Sequence, residues 1–172
     1  MFDYSNVIPS AVAEMKPSGI RKYFGIMETL PDAISLGVGE PDFITPRHVM
    51  QAGIDSLLAG KTQYTANSGL IQLRREISKY LEKSFEISYD PESEVLVTVG
   101  GSEAIDLCLR AFLTVGDEIL IPEPAFVCYG PLASLTGAKP VPIVTKKEDS
   151  FKLTPEALKA AITPKSKVLI LS

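Results

Sequence analysis

The sequence has 172 residues, 45 % of them apolar, and a formal charge of −4 at neutral pH. That length supports one sizeable core and at most a small second lobe, and that apolar fraction excludes a largely disordered chain. The acidic balance, with no basic run longer than two residues, excludes a nucleic-acid or anionic-membrane footprint. No apolar run reaches bilayer length, and the N-terminus MFDYSNVIPS lacks the charged and apolar regions of a secretory signal. His48 is the only histidine and Cys108 and Cys128 the only cysteines. That is too little for a zinc site, so no metal is expected. Buried, reduced thiols in a cytoplasmic protein are the expectation.

In chain order, Ser18 to about Leu30 is predicted as a helix with Ser18 as its N-cap after Pro17. AISLGVGEPDF reads as a short strand breaking into a loop around Gly37, Gly39 and Pro41. Thr45-Pro46 opens a second helix, because proline suits the first helical position. Val49, Met50, Ile54, Leu57 and Leu58 keep helical spacing in it, and Gly60 ends it. After the polar loop QYTANSG, Gly69 to Phe85 is an amphipathic helix with Leu70, Leu73, Ile77 and Leu81 on one face. Arg74 and Arg75 fall on its polar face, where charges are expected to be solvated.

From Glu94 the pattern becomes regular. The strands EVLVTVG, DEILIP, KPVPIV and KVLILS alternate with the helices SEAIDLCLRAFL, AFVCYGPLASLTG and TPEALKAAI, the last with Thr154 as cap and Pro155 at its first position. This alternation predicts an α/β fold with a mainly parallel sheet and helices on both faces.

The handover VTVGGSEAIDL, Val97 to Leu107, carries the clearest chemistry. In open α/β sheets ligands collect outside the carboxyl ends of strands. Here a strand delivers its end into Gly100-Gly101-Ser102. The free backbone N–H groups of Ser102, Glu103 and Ala104, aligned with the helix dipole, would receive a phosphate, and the Ser102 hydroxyl would add a bond. Glycine lets a ligand approach the backbone closely. A plain tight turn with Ser102 as helix cap fits the same residues. The pattern is neither a P-loop nor a dinucleotide fingerprint.

Four segments in order, PSGIRKYF, SLGVGEPDFITP, QYTANSGLIQLRREI and VTVGGSEAIDLCLRAFLTVGDEILIPEPAFVCY, resemble the N-terminal half of a class I/II aminotransferase, a pyridoxal-phosphate enzyme of the fold-type I group. The resemblance implies an incomplete large domain of that fold. Residues 1–45 would be an N-terminal arm with part of the small domain and substrate loop, and residues 46–172 the first part of the cofactor-binding large domain. It implies that Gly101, Ser102 and Glu103 hold the phosphate of pyridoxal 5'-phosphate, with the Glu103 carboxylate turned aside. Phe126 would stack on the pyridine ring, with a core aromatic as the alternative. Tyr64 would reach a cofactor phosphate in the neighbouring subunit of a homodimer. Gly39 and Val38 would touch the substrate carboxylate, and Ile20 would close over the substrate. Tyr129 is expected to pack in the core rather than line the pocket.

The resemblance also implies what is absent. The Schiff-base lysine, the acid beside the pyridine nitrogen and the arginine fork of such enzymes lie C-terminal to the strand that KVLILS resembles, beyond Ser172. The chain is therefore expected to be an N-terminal portion without a catalytic residue of its own, inactive alone and exposing apolar surface. The implied activity of the parent protein is amino transfer from an L-amino acid of aspartate, alanine or aromatic type to a 2-oxo acid such as 2-oxoglutarate. A pyridoxal-phosphate-dependent carbon–sulfur lyase, or a non-catalytic phosphate-binding α/β module, are the alternatives. Small-molecule substrates are the expected partners, with no nucleic acid and no membrane.

Overall fold

The computed structural model describes every residue except 1–6, 18, 20–22, 24, 27–28, 31, 33, 35–38 and 40. The chain forms two compact units, one of Ser18–Val97 and one of Met1–Pro17 with Thr98–Ser172.

The second unit is organised by β1, Glu118–Glu123. It pairs in parallel with β2, Lys139–Val144, on one side and β3, Ser166–Leu169, on the other, giving the order β2-β1-β3. Glu118, Ile119, Leu120 and Ile121 are all buried. Successive side chains of a strand point to opposite faces, so both faces of β1 are covered. Helix α4, Gly101–Phe112, precedes β1. Helix α5, Tyr129–Leu135, makes the crossover from β1 to β2, and α6, Pro155–Ala161, the crossover from β2 to β3. Leu109 and Leu113 pack with Ile119, Ile121, Tyr129, Ala133 and Ala138 in one core cluster, so Tyr129 is a core residue. The short helix α1, Ser10–Ala13, lies against α5.

Local chemistry accounts for the joints. Thr154 caps α6, its Oγ1 accepting from the Ala157 N–H at 3.2 Å, and Pro155 follows at the first helical position. Gly137 has φ +83°, and a Cβ there would lie 2.7 Å from Val115 Cγ2, so only glycine closes the turn into β2.

In the first unit, α2 spans Arg47–Leu58 and α3 spans Ile71–Phe85. Gly69, at φ +94° with Val97 Cβ 2.7 Å from where its own Cβ would stand, lets the two backbones meet before α3 begins. None of the residues of α2 is buried; its apolar stripe Val49, Met50, Ile54, Leu57 and Leu58 stands exposed.

Several expectations are corrected. EVLVTVG forms no strand: Val95–Thr98 make no ladder, Val99 and Gly100 lie in a bend, and the Val97 N–H reaches only the Ser68 C=O, at 3.1 Å. A β-branched run satisfies the propensity for a strand, but a strand also needs a neighbour. Helix α5 begins at Tyr129 rather than Ala125, because Ala125–Cys128 form the bend that leads in from β1. Arg74 is not solvated. It is 7 % exposed, and its Nη1 donates to the C=O groups of Pro91 and Glu92 at 2.8 and 3.2 Å. The segment after α3 folds back over the helix, and the guanidinium satisfies carbonyls that no ladder serves. Arg75 stays exposed and pairs with Glu92 at 2.9 Å. The thiols are free but not buried, Cys108 being exposed and Cys128 half-buried. The strand predicted in AISLGVGEPDF and the helix from Ser18 fall largely outside the described residues, although Tyr23, Gly25 and Ile26 are helical.

Ile119 is fully buried and Leu58 is 82 % exposed. Ile119→Ala is expected to cost about 2–5 kcal/mol, read from the urea unfolding midpoint, and Leu58→Ala to stay within about 0.5 kcal/mol of the parent chain.

Candidate functional site

The bend before α4 depends on Gly100. Its φ of +87° and ψ of 165° lie in a region essentially restricted to glycine. The Gly100 N–H donates to the Thr98 C=O at 2.9 Å, and Thr98 Oγ1 donates to the Gly100 C=O at 2.9 Å. The chain reverses there and α4 starts at once with Gly101. Gly100 is the N-cap and no side chain caps the helix, so Ser102 is not the cap residue that the tight-turn alternative required.

The amides at this helix mouth are free. Among the described residues the Ser102 and Glu103 N–H groups have no acceptor, and the Ala104 N–H reaches the Gly100 C=O only at 3.4 Å. With the positive end of the helix dipole behind them, such groups attract an anion. The Glu103 carboxylate turns back and accepts from the Val99 N–H. This is the reach of a third-position glutamate toward the chain before the helix, displaced by one residue from the usual capping box. It directs the side-chain charge to a donor of its own and leaves the Glu103 amide open. Gly101 has nothing within 4 Å of where a Cβ would stand, so protein atoms do not fill the space beside the amides.

A second segment reaches the same place. The Ser102 side chain lies near the Cys128 thiol; burial pushes that thiol up and Ser102 partly offsets it. Phe126, two residues earlier, is 51 % exposed and stands edge-on to Tyr129 with ring centroids 5.7 Å apart. Tyr129 anchors the segment in the core, and Phe126 is left as an aromatic face open to a ligand rather than a core residue. Both lie just past the carboxyl end of β1, where open α/β sheets bind ligands. The structure thus brings Ser102 beside Cys128, in the segment that carries Phe126 and Tyr129. The nearness of Cys128 to Ser102 was not legible from spacing, since it depends on how α4 and α5 pack.

In the other unit, Tyr64 is fully exposed and Gly39 is exposed. Ile20 and Val38 lie outside the described residues. His48 is exposed on α2. No group of histidine, cysteine and acidic residues that could hold a metal occurs among the described residues, and no helix there is long and apolar enough to cross a membrane.

The family model for aminotransferase class I and II matches residues 31–172. The chain belongs to that family. It is 45 % identical over 158 residues to the aspartate aminotransferase of Pyrococcus abyssi, covering 92 % of this chain and 41 % of that protein. It is 39 % identical to the aromatic-amino-acid aminotransferase 2 of Thermococcus litoralis, again over 92 % of this chain and 41 % of that protein. Among solved structures, the aspartate aminotransferase of Thermus thermophilus with maleate superposes with a TM-score of 0.88 at 33 % identity, over 95 % of this chain and 44 % of that one. The parallel sheet and its crossover helices are therefore part of an aminotransferase fold. This aminotransferase chain spans about two-fifths of the length of these relatives.

The two adjacent glycines have separate duties. Gly100→Ala is expected to destabilise the unit by about 1–3 kcal/mol through its positive φ. Gly101→Ala, in helical backbone with open space around it, is expected to leave the thermal midpoint unchanged or raised, both measured by circular dichroism.

Proposed function

We propose that this chain is the phosphate-gripping portion of a pyridoxal-phosphate-dependent aminotransferase. The single observation that carries this reading is the open mouth of α4, where the Ser102 and Glu103 amides lack acceptors beside an unfilled Gly101. These residues fit the group. The cradle supplies neutral donors and a helix dipole to a phosphate dianion, the one nearby carboxylate is turned to Val99, and Phe126 offers an apolar ring surface to a heteroaromatic ring. When bound, the coenzyme supplies the electron sink that lets an amino group pass from an amino acid to a 2-oxo acid. This chain's own residues do the holding. Ser102 and Glu103 bind the phosphate through their N–H groups, the Ser102 hydroxyl adds a bond, and Phe126 sets the plane of the ring.

Family membership and relatives named as aspartate and aromatic-amino-acid aminotransferases support amino transfer, and we take the donor to be an L-amino acid of aspartate, alanine or aromatic type and the acceptor a 2-oxo acid such as 2-oxoglutarate. We take residues 46–172 as the first part of the large domain and residues 1–45 as an N-terminal arm. Gly39, Val38 and Ile20 are assigned to the substrate side. The full exposure of Tyr64 suits a residue that serves the neighbouring subunit of a homodimer, in a cytoplasmic enzyme.

The reading is tested by titrating the chain with pyridoxal phosphate, pyridoxal and inorganic phosphate, followed by calorimetry. Pyridoxal phosphate is expected to bind more tightly than pyridoxal, and phosphate to compete with it. Gly101→Ala is expected to weaken pyridoxal phosphate by about tenfold, since the added methyl stands between the ligand and the amides. Phe126→Ala is expected to weaken it by about 1 kcal/mol without affecting inorganic phosphate. Equal affinity for pyridoxal and its phosphate would refute the cradle.

A further inference from the structure

One hydroxyl in the bend before α4 has no duty in the functional reading. Thr98 Oγ1 donates to the Gly100 C=O at 2.9 Å. The Gly100 N–H donates back to the Thr98 C=O at 2.9 Å and closes a three-residue turn about Val99. The Val99 N–H is taken by the Glu103 carboxylate. The bend is thus tied to itself by three hydrogen bonds, and none of them uses the Ser102 or Glu103 amide.

The Gly100 C=O is also the acceptor that the first turn of α4 needs. In a helix the N-cap carbonyl receives the N–H four residues on. In α1, α2, α3, α5 and α6 that bond is 3.0 or 3.1 Å long. In α4 the Ala104 N–H stands 3.4 Å from the Gly100 C=O, beyond the ordinary range for such a bond. The carbonyl that Ala104 would use is the one that Thr98 holds at the shorter distance. Threonine is stiff about χ1, so its hydroxyl keeps that aim without further support.

We propose that Thr98 is a positioning residue of the phosphate cradle. By drawing the Gly100 C=O to its hydroxyl, it keeps the Ala104 N–H open as a third amide donor beside those of Ser102 and Glu103. The inference rests on the cradle reading above. A phosphate ester carries three strong acceptor oxygens, so a third neutral donor has an oxygen to serve. Pyridoxal, which lacks the phosphate, has nothing for that donor. Thr98 acts through one carbonyl and not by touching the ligand.

Two measurements on the chain test this, each made with Thr98→Val, which keeps the shape and removes the hydroxyl, and with Thr98→Ser, which restores it. The first is amide hydrogen exchange without ligand. In Thr98→Val the carbonyl returns to Ala104, and exchange at the Ala104 amide is expected to slow by about fivefold, while Thr98→Ser matches the unsubstituted chain. The second is calorimetric titration. Thr98→Val is expected to bind pyridoxal phosphate and inorganic phosphate about fivefold more weakly and pyridoxal unchanged, with Thr98→Ser again unchanged. Unaltered exchange at Ala104 in Thr98→Val would overturn the proposal. So would equal weakening of pyridoxal and its phosphate, the mark of a merely structural residue, or full phosphate affinity in a Thr98→Val chain whose parent prefers the phosphorylated ligand. If the unsubstituted chain itself fails to prefer that ligand, the cradle reading falls and this role with it, while exchange at Ala104 still shows whether Thr98 holds the carbonyl. Should Thr98→Val fail to fold, Thr98→Ala takes its place in both measurements.

Discussion

The bend at Gly100 is the constraint on which the site depends, because it decides where a row of amides points. A helix of any sequence has free N–H groups at its start. What makes those of α4 available is that the backbone arrives through a conformation only glycine adopts and turns directly into the helix. No capping hydroxyl or carboxylate consumes the donors. The one nearby acid, Glu103, accepts instead from Val99 on the far side of the bend. Had it reached into the mouth, a fixed negative charge would stand where an anion must sit, and the dipole's attraction would be spent within the protein. The site is therefore produced by backbone geometry first and by side-chain identity second.

The same bend explains the pairing of α4 with the segment after β1. Leu109 and Leu113 anchor α4 in the core beside Ile119 and Ile121, and Tyr129 enters the same cluster from the start of α5. Burial of these side chains sets the helix and the sheet edge in one place. Phe126 and Cys128 precede the anchoring tyrosine by three residues and one, and inherit their position from it. Tyr129 is buried, and Phe126 beside it is left exposed.

How much of this was legible in the sequence follows from the range of each interaction. The crossover pattern from Glu118 onward was readable because hydrophobic runs, Thr154-Pro155 and Gly137 are local signals with local causes. The candidate cradle was readable for the same reason, since two glycines, a hydroxyl and a helix occupy consecutive positions. Three things were not. VLVTV has the composition of a strand, but a strand also requires a partner, and composition says nothing about partners. Arg74 looked like half of a solvated pair, yet it is enclosed by Pro91 and Glu92, seventeen and eighteen residues away. Cys128 reads as a small core residue until α4 brings Ser102 to it. In each case the deciding contact is distant in sequence.

The two ends of β1 also carry opposite kinds of chemistry, and this has an energetic consequence. Its carboxyl end leads to Phe126 and neutral amide donors, a region poised for an anion from outside. Its amino end is held by internal ion pairs, where Asp117 and Glu118 already have Lys167, Thr163 and Lys139 as partners. A parallel sheet makes this division natural, since all strands present the same end to the ligand and leave the other free for structural charges. The strand between is buried on both faces and cannot shift without disturbing the core. A ligand that favours the intact carboxyl end thus favours the buried strand itself, while the amino end keeps its own charge pairs within the protein.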